Sequence, residues 1–366
     1  MRQAFRAAAA LAAVALLAAG CAKPSSSSTG SGSGTGAAGF KACMVTDTGG
    51  INDKSFNQSS WAGMQAAAAT NPNITVKYLP STTTSDYAKN ISTFISQKCG
   101  VIVTVGFLMG AATEAAAKAN PKQKFAIVDC SYSSQCLSGT HENNITQLVF
   151  NTAQDAYLSG YLAAGLTKTG KVATFGGMKF GTVTIYMDGF WDGVQYYNKQ
   201  HHTHVQVLGW SEPSQNGTFA GSFTNITAGQ TIANTFIHDG ADIIFPVAGG
   251  VGLGSAKAVQ TADTSGKNIA MFWVDTDGCV SAATYCKYFV TSVEKGISTA
   301  VKAAVLLAFR GHGGGSYVGT IANGGAVLAP YHFWTSKVPA KLQTELAAVK
   351  AAIVSGQIVP ATKSPV

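Results

Sequence analysis

Short apolar runs alternate along this chain with stretches whose apolar positions recur at helical spacing. Lys41–Thr46 predicts a strand and Lys54–Ala69 a helix. Ile74–Leu79 then precedes a helical Asp86–Gln97, Val101–Val105 precedes Ala111–Ala119, and Phe125–Asp129 ends a further strand. The pattern resumes with Val172–Phe175 and a long helical segment over Val183–Lys199. Val205–Trp210, Ile243–Val247 and Ile269–Val274 read as later strands, separated by helical Thr231–His238 and Ser255–Asp263. Unbroken apolar strands alternating with helices imply an α/β fold whose parallel sheet is covered on both faces. The alternation is longer than one such sheet uses, so two doubly wound lobes are expected.

The N-terminus follows another pattern. Arg2 and Arg6 precede an uncharged run from Ala7 to Ala19, and Ala18, Ala19 and Gly20 lead into Cys21. A basic start, about a dozen apolar residues and a small-residue ending form a secretory signal. The run is short against about 30 Å of hydrocarbon. Its ending resembles a bacterial lipobox, in which the cysteine is lipidated, although Leu17 stands four residues before Cys21 rather than three. The Ser/Gly-rich stretch that follows has a flexible tether's composition. Residues 1–20 are therefore read as a lipoprotein signal and 21–39 as a tether, which puts the folded part at the outer face of the cell membrane on a lipid anchor.

Charge narrows the classes. The net charge of +8 comes from 25 Lys and Arg against 17 Asp and Glu, and Arg310 is the sole arginine after Arg6. A nucleic-acid binder concentrates its basic residues and uses arginine forks, so nucleic acid is not an expected partner. Lys168, Lys171, Lys179 and Lys199 read as solvated surface charges. Besides Cys21 there are six cysteines. Cys130–Cys136 and Cys279–Cys286 each bracket a short loop, which would leave Cys43 with Cys99, but six cysteines allow fifteen pairings. None stands at the C-x-x-C spacing of a zinc site, and no metal site is expected.

In doubly wound sheets, ligands bind beyond the carboxyl ends of the strands. Polar residues cluster at those ends: Asp47 with Gly49 and Gly50, Asp129, the Gly249–Gly254 run, and Asp275. Taken singly, each aspartate is better read as capping a following helix.

The stretch VTDTGGINDKSFNQSSWAGM at 45–64 closely resembles the opening motif of the basic membrane protein family. These are lipoprotein substrate-binding proteins of ABC transporters, and their best-understood members are purine nucleoside receptors. The resemblance continues through KQKFAIVD (122–129), GSFTNITAGQTIA (221–233), DGADIIFPVAGGVGLG (239–254), WVDTDG (273–278) and TSVEKG (291–296). It implies a type I periplasmic-binding-protein-like fold with two lobes hinged around a central cleft. The expected division is 40–150 plus about 278–318 for one lobe, and 151–277 plus about 319–366 for the other. By motif position, Phe56 and Phe223 would sandwich a purine from opposite lobes. Asp129 would face the base edge, and Asp275 with Lys295 would grip the ribose. Asp47 and Asn57 would add polar contacts, while Gly249 and Gly250 would let backbone approach the sugar. Phe56 reads equally as the core residue of an amphipathic helix.

The implied partners are a nucleoside and an ABC permease with its ATPase subunits; a monomer without cofactor is expected. Enzymatic readings fare worse. The run GGVGLG is out of register with a dinucleotide fingerprint, and both a Walker lysine and G-x-S-x-G are missing. The runners-up are a receptor or sensor of the same fold for another small ligand and, behind it, a secreted nucleoside-processing enzyme.

Overall fold

A computed structural model describes residues 39–133, 136, 142–364 and 366. The signal segment, Cys21 and nearly all of the tether lie outside these. Strands and helices alternate from β1 (Phe40–Val45) through α1 (Phe56–Thr70), β2 (Ile74–Leu79), α2 (Asp86–Ser96), β3 (Val101–Val105), α3 (Gly110–Ala119) and β4 (Lys124–Val128) to β5 (Ile145–Phe150). Next come α4 (Ala153–Leu166), β6 (Lys171–Gly176), α5 (Gly181–His201), β7 (Gln206–Leu208) and a small hairpin of β8 (Trp210–Ser211) and β9 (Asn216–Gly217). They lead to α6 (Ile226–His238), β10 (Ile243–Val247), α7 (Gly252–Thr264), β11 (Ala270–Asp275), the single turn α8 (Gly278–Ser281) and β12 (Phe289–Lys295). The chain ends with α9 (Ile297–Phe309), β13 (Gly315–Gly319), β14 (Ala326–Leu328) and α10 (Ala340–Val354).

Two six-stranded sheets result. The first has the order β13-β5-β4-β3-β1-β2 and is wholly parallel. The second has the order β14-β12-β11-β10-β6-β7, with only the short edge strand β14 antiparallel. Every residue of β3, β10 and β11 is buried, as strands covered on both faces require. In each sheet the order reverses beside the lobe's first strand, between β1 and β3 and between β6 and β10. Such a reversal opens a crevice at the strands' carboxyl ends.

The chain crosses between lobes near residues 150–153, 295–297 and 319–326. The second crossing differs from the expected return at about 278. β12 pairs in parallel with β11, so residues 278–295 complete the second sheet. Only with α9, which packs against α1, does the chain rejoin the first lobe. Disulfides join Cys43 to Cys99, Cys130 to Cys136 and Cys279 to Cys286.

Candidate functional site

Both crevices open onto one cleft that encloses about 670 Å³, part of it continuous with solvent. All nine residues expected at the site line it: Asp47, Phe56, Asn57, Asp129, Phe223, Gly249, Gly250, Asp275 and Lys295. Joining them are Asp53, Gly106, Phe107, Phe180 and Tyr186, none of which the sequence had singled out for the site.

One polar end is built where β1 hands over to α1. Asp53 caps that helix, accepting from the backbone N–H groups of Ser55 (3.0 Å), Asn57 (2.8 Å) and Gln58 (3.0 Å). Ser55, at the usual capping position, makes no such bond and is free for another task. The amide of Asn57 donates to Asp47 Oδ1 (2.7 Å) and Asp53 Oδ2 (3.1 Å). Two carboxylates accept from that nitrogen, which fixes the orientation of the side chain. Asn57 Oδ1 is buried and has no hydrogen-bond partner among the described residues. An unused buried acceptor beside a cleft invites a donor from a ligand. Burial pushes Asp47 up to about 6, against the opposing hydrogen bonds from Asn57 and Gly49.

The other polar end lies where β4, β11 and β12 finish. Asp129 and Asp275 both adopt left-handed backbone, at φ 61° and 68°, and both are 6% exposed. Such conformations cost energy outside glycine, though aspartate tolerates them best, and they gather at functional sites. Lys295 Nζ pairs with Asp129 and lies 3.9 Å from Asp275 Oδ1. Burial raises the Asp129 carboxyl, and the lysine opposes that rise. Tyr186 donates to Asp275 Oδ1 at 3.1 Å, and Ser55 donates to Asp275 Oδ2 at 2.7 Å across the lobes. Trp273 Nε1 adds another bond between lobes, to Lys54 O at 3.1 Å. Lys295 therefore ties Asp129 to Asp275, two carboxylates that the family resemblance had given separate tasks.

Aromatic rings line the same cleft. Phe56 starts α1, and its ring centroid is 5.4 Å from Lys295 Nζ, which is 5.1 Å from that of Tyr186. The Phe223 ring presses on Gly177, where any Cβ would come within 2.3 Å of it. Gly249 has φ +53°, and a Cβ on Gly250 would stand 3.3 Å from Phe223 O and 3.6 Å from Asp53 O. Gly249 thus meets a backbone requirement, and Gly250 packs closely against the Phe223 segment of its own lobe. Phe107 and Phe180 were legible by the same logic of strand ends, since they follow β3 and β6 closely.

Among the described residues the lining holds no histidine, cysteine or arginine. His201 lies instead at the end of α5, bonded to Glu345 and stacked on Tyr197. Asp277, Cys279 and His332 come together elsewhere, but Cys279 is held in its disulfide and offers no thiolate.

A family model described as ABC transporter substrate-binding protein, PnrA-like, matches residues 40–329. The chain belongs to this family. An ABC transporter nucleoside-binding protein of Lactococcus lactis subsp. cremoris is 34% identical over 274 residues, covering 73% of this chain and 72% of the relative. A CD4+ T-cell-stimulating antigen of Listeria monocytogenes is 33% identical over 245 residues, covering 65% of this chain; the chain spans 63% of that relative's length. Basic membrane protein A of Borreliella burgdorferi is 28% identical over 237 residues, covering 65% of this chain and 63% of the relative. Among solved structures, an ABC transporter solute-binding protein from Aeropyrum pernix superposes with a TM-score of 0.78 at 23% identity, covering 88% of this chain and 94% of that one. That likeness shows the periplasmic-binding-protein-like fold.

Proposed function

We propose that this protein is a lipid-anchored receptor of an ABC importer that captures a nucleoside between its lobes and presents it to the permease. The observation carrying this reading is a cleft lined by aromatic rings from both lobes together with two buried polar clusters. A purine has two faces that water solvates poorly, and stacking it on aromatic rings contributes roughly 1–3 kcal/mol per base. Phe56 and Phe223 come from opposite lobes and are the walls we assign to it.

Asn57 Oδ1 and Asp47 offer acceptors suited to the N–H groups of a base. At the other end, Asp129, Lys295 and Asp275 offer two carboxylates and an ammonium, suited to a vicinal diol. We therefore assign Asp129 to the sugar rather than to the base edge. Ligand contacts made from both lobes favour the closed arrangement, because only that arrangement offers them together. Cys21 is the residue we assign to lipidation, and hydrolysis of ATP is left to the partner subunits.

Calorimetry with adenosine, guanosine, inosine, uridine and ribose tests this. A purine ribonucleoside should bind at micromolar Kd or tighter, and ribose far more weakly. Failure of every nucleoside to bind below about millimolar removes the ligand from this reading. Release of hypoxanthine from bound inosine would instead indicate an enzyme.

A further inference from the structure

Two cleft rings have no task in the ligand reading above. Phe107 lies in the turn between β3 and α3 in the first lobe, and Phe180 stands directly before α5 in the second. Their ring centroids are 5.1 Å apart and their planes 21° from parallel, a stacked pair that joins the lobes. Phe180 also lies 6.4 Å from Phe223, with 33° between planes. The three rings form a ladder from the first lobe to the wall assigned to the base.

Within that ladder, the Phe107–Phe180 contact alone crosses the cleft. It therefore exists only while the lobes are closed. Offset aromatic pairs contribute beyond their buried area, so its free energy favours closure whether or not the ligand touches either ring. Both residues sit at the carboxyl ends of strands flanking the two crevices, where a small rotation of one lobe separates them.

We propose that the Phe107–Phe180 stack is a closing latch: it forms as the lobes meet, braces the Phe223 ring, and sets how long the ligand stays. This rests on reading the cleft as the ligand site. A contact present only in the closed form slows release, and by holding some ligand-free molecules shut it cannot speed entry. Neither ring latches without the other, so removing both should cost little more than removing one.

The test uses the full chain, its Phe107→Ala, Phe180→Ala and double variants, with inosine as the probe in stopped-flow. Each single variant should raise the dissociation rate roughly threefold to tenfold, with the association rate unchanged or raised. The double variant should exceed the faster single by no more than about twofold. Multiplying effects would mean that each ring acts separately, and an unchanged dissociation rate would also sink the latch. Phe180→Leu keeps apolar bulk but loses the stack, so it stands in if an alanine variant does not fold. Its dissociation must also quicken, or the idea fails.

Small-angle scattering without nucleoside separates this proposal from the ligand reading. Loss of the latch should enlarge the radius of gyration, and equal radii would overturn the latch. If wild-type protein ignores inosine, the ligand reading falls, and the scattering result still decides this one.

Discussion

At one end of the cleft, Asp47 and Asp53 share the neutral amide of Asn57; at the other, Asp129 and Asp275 share the ammonium of Lys295. Both pairs lie in the closed-in cleft, where desolvation opposes ionisation. The first is held by amides alone, and burial leaves Asp47 titrating at about 6. The second has a cation between its members. Burial raises both Asp47 and Asp129, and only at Asp129 does a cation oppose the rise. The two clusters thus meet the same desolvation with different counterweights.

Lys295→Met breaks this comparison most severely. It leaves two carboxylates buried with no counter-ion, and removing one partner of a buried pair typically costs about 3–5 kcal/mol. Urea unfolding should show a loss of that order, and inosine affinity should fall by roughly a hundredfold or more. Lys295→Met with Asp129→Asn removes the charge along with its partner and should recover much of the stability. A double variant no more stable than Lys295→Met would mean that the lysine is not there to balance Asp129.

Phe223→Ala comes next, because it removes one wall and spares both polar ends. Inosine affinity should drop at least tenfold, in line with roughly 1–3 kcal/mol of stacking. Asp47 should keep the same titration in this variant. An unchanged Kd would take Phe223 out of the site.

These residues differ in how plainly the sequence announced them. Asp47, Asn57, Asp129, Asp275 and Lys295 stand in contiguous motifs at strand ends, so both strand logic and family resemblance reach them. Their mutual geometry was not legible: Lys295 meets Asp129 across 166 positions of chain, and only the third dimension reveals the pair. The fold shows the same limit. α4 is buried on nearly every side, so it carries no amphipathic period to read. β12 was visible as a motif but not as a strand, which is why the return to the first lobe was set too early. Phe107 and Phe180 lie outside the quoted motifs, and their role depends on a neighbour in the other lobe.

Asp47, in the amide-held cluster, makes a pH prediction of its own. Asp47 is raised in the fold, so the native state binds its proton more tightly than the unfolded chain does. This carboxyl therefore lowers stability as pH rises from about 4 to about 6, and no further above that. Asp47→Asn should gain stability over wild type across that interval when unfolding is followed at pH 4.5 and 7.5. Its ligand binding should move the other way, since the amide is a weaker acceptor than a carboxylate. Wild-type affinity for inosine should rise severalfold between pH 5 and 7 as Asp47 ionises, and Asp47→Asn should flatten that rise. A slope that survives the substitution would belong to another group.

Tyr186→Phe makes the finest cut, removing one oxygen from the lysine-held end. The lost bond runs to Asp275 Oδ1, while Ser55 Oγ still donates to Oδ2 at 2.7 Å and Lys295 remains nearby. A carboxylate with other donors loses only part of its support, so the net cost should be near 1 kcal/mol, or about fivefold in affinity. The phenol itself titrates far above neutrality, because burial raises it and Asp275 raises it further. The effect should accordingly be the same at pH 6 and pH 8. A pH-dependent loss would mean that the phenol does more at this site than donate one hydrogen bond.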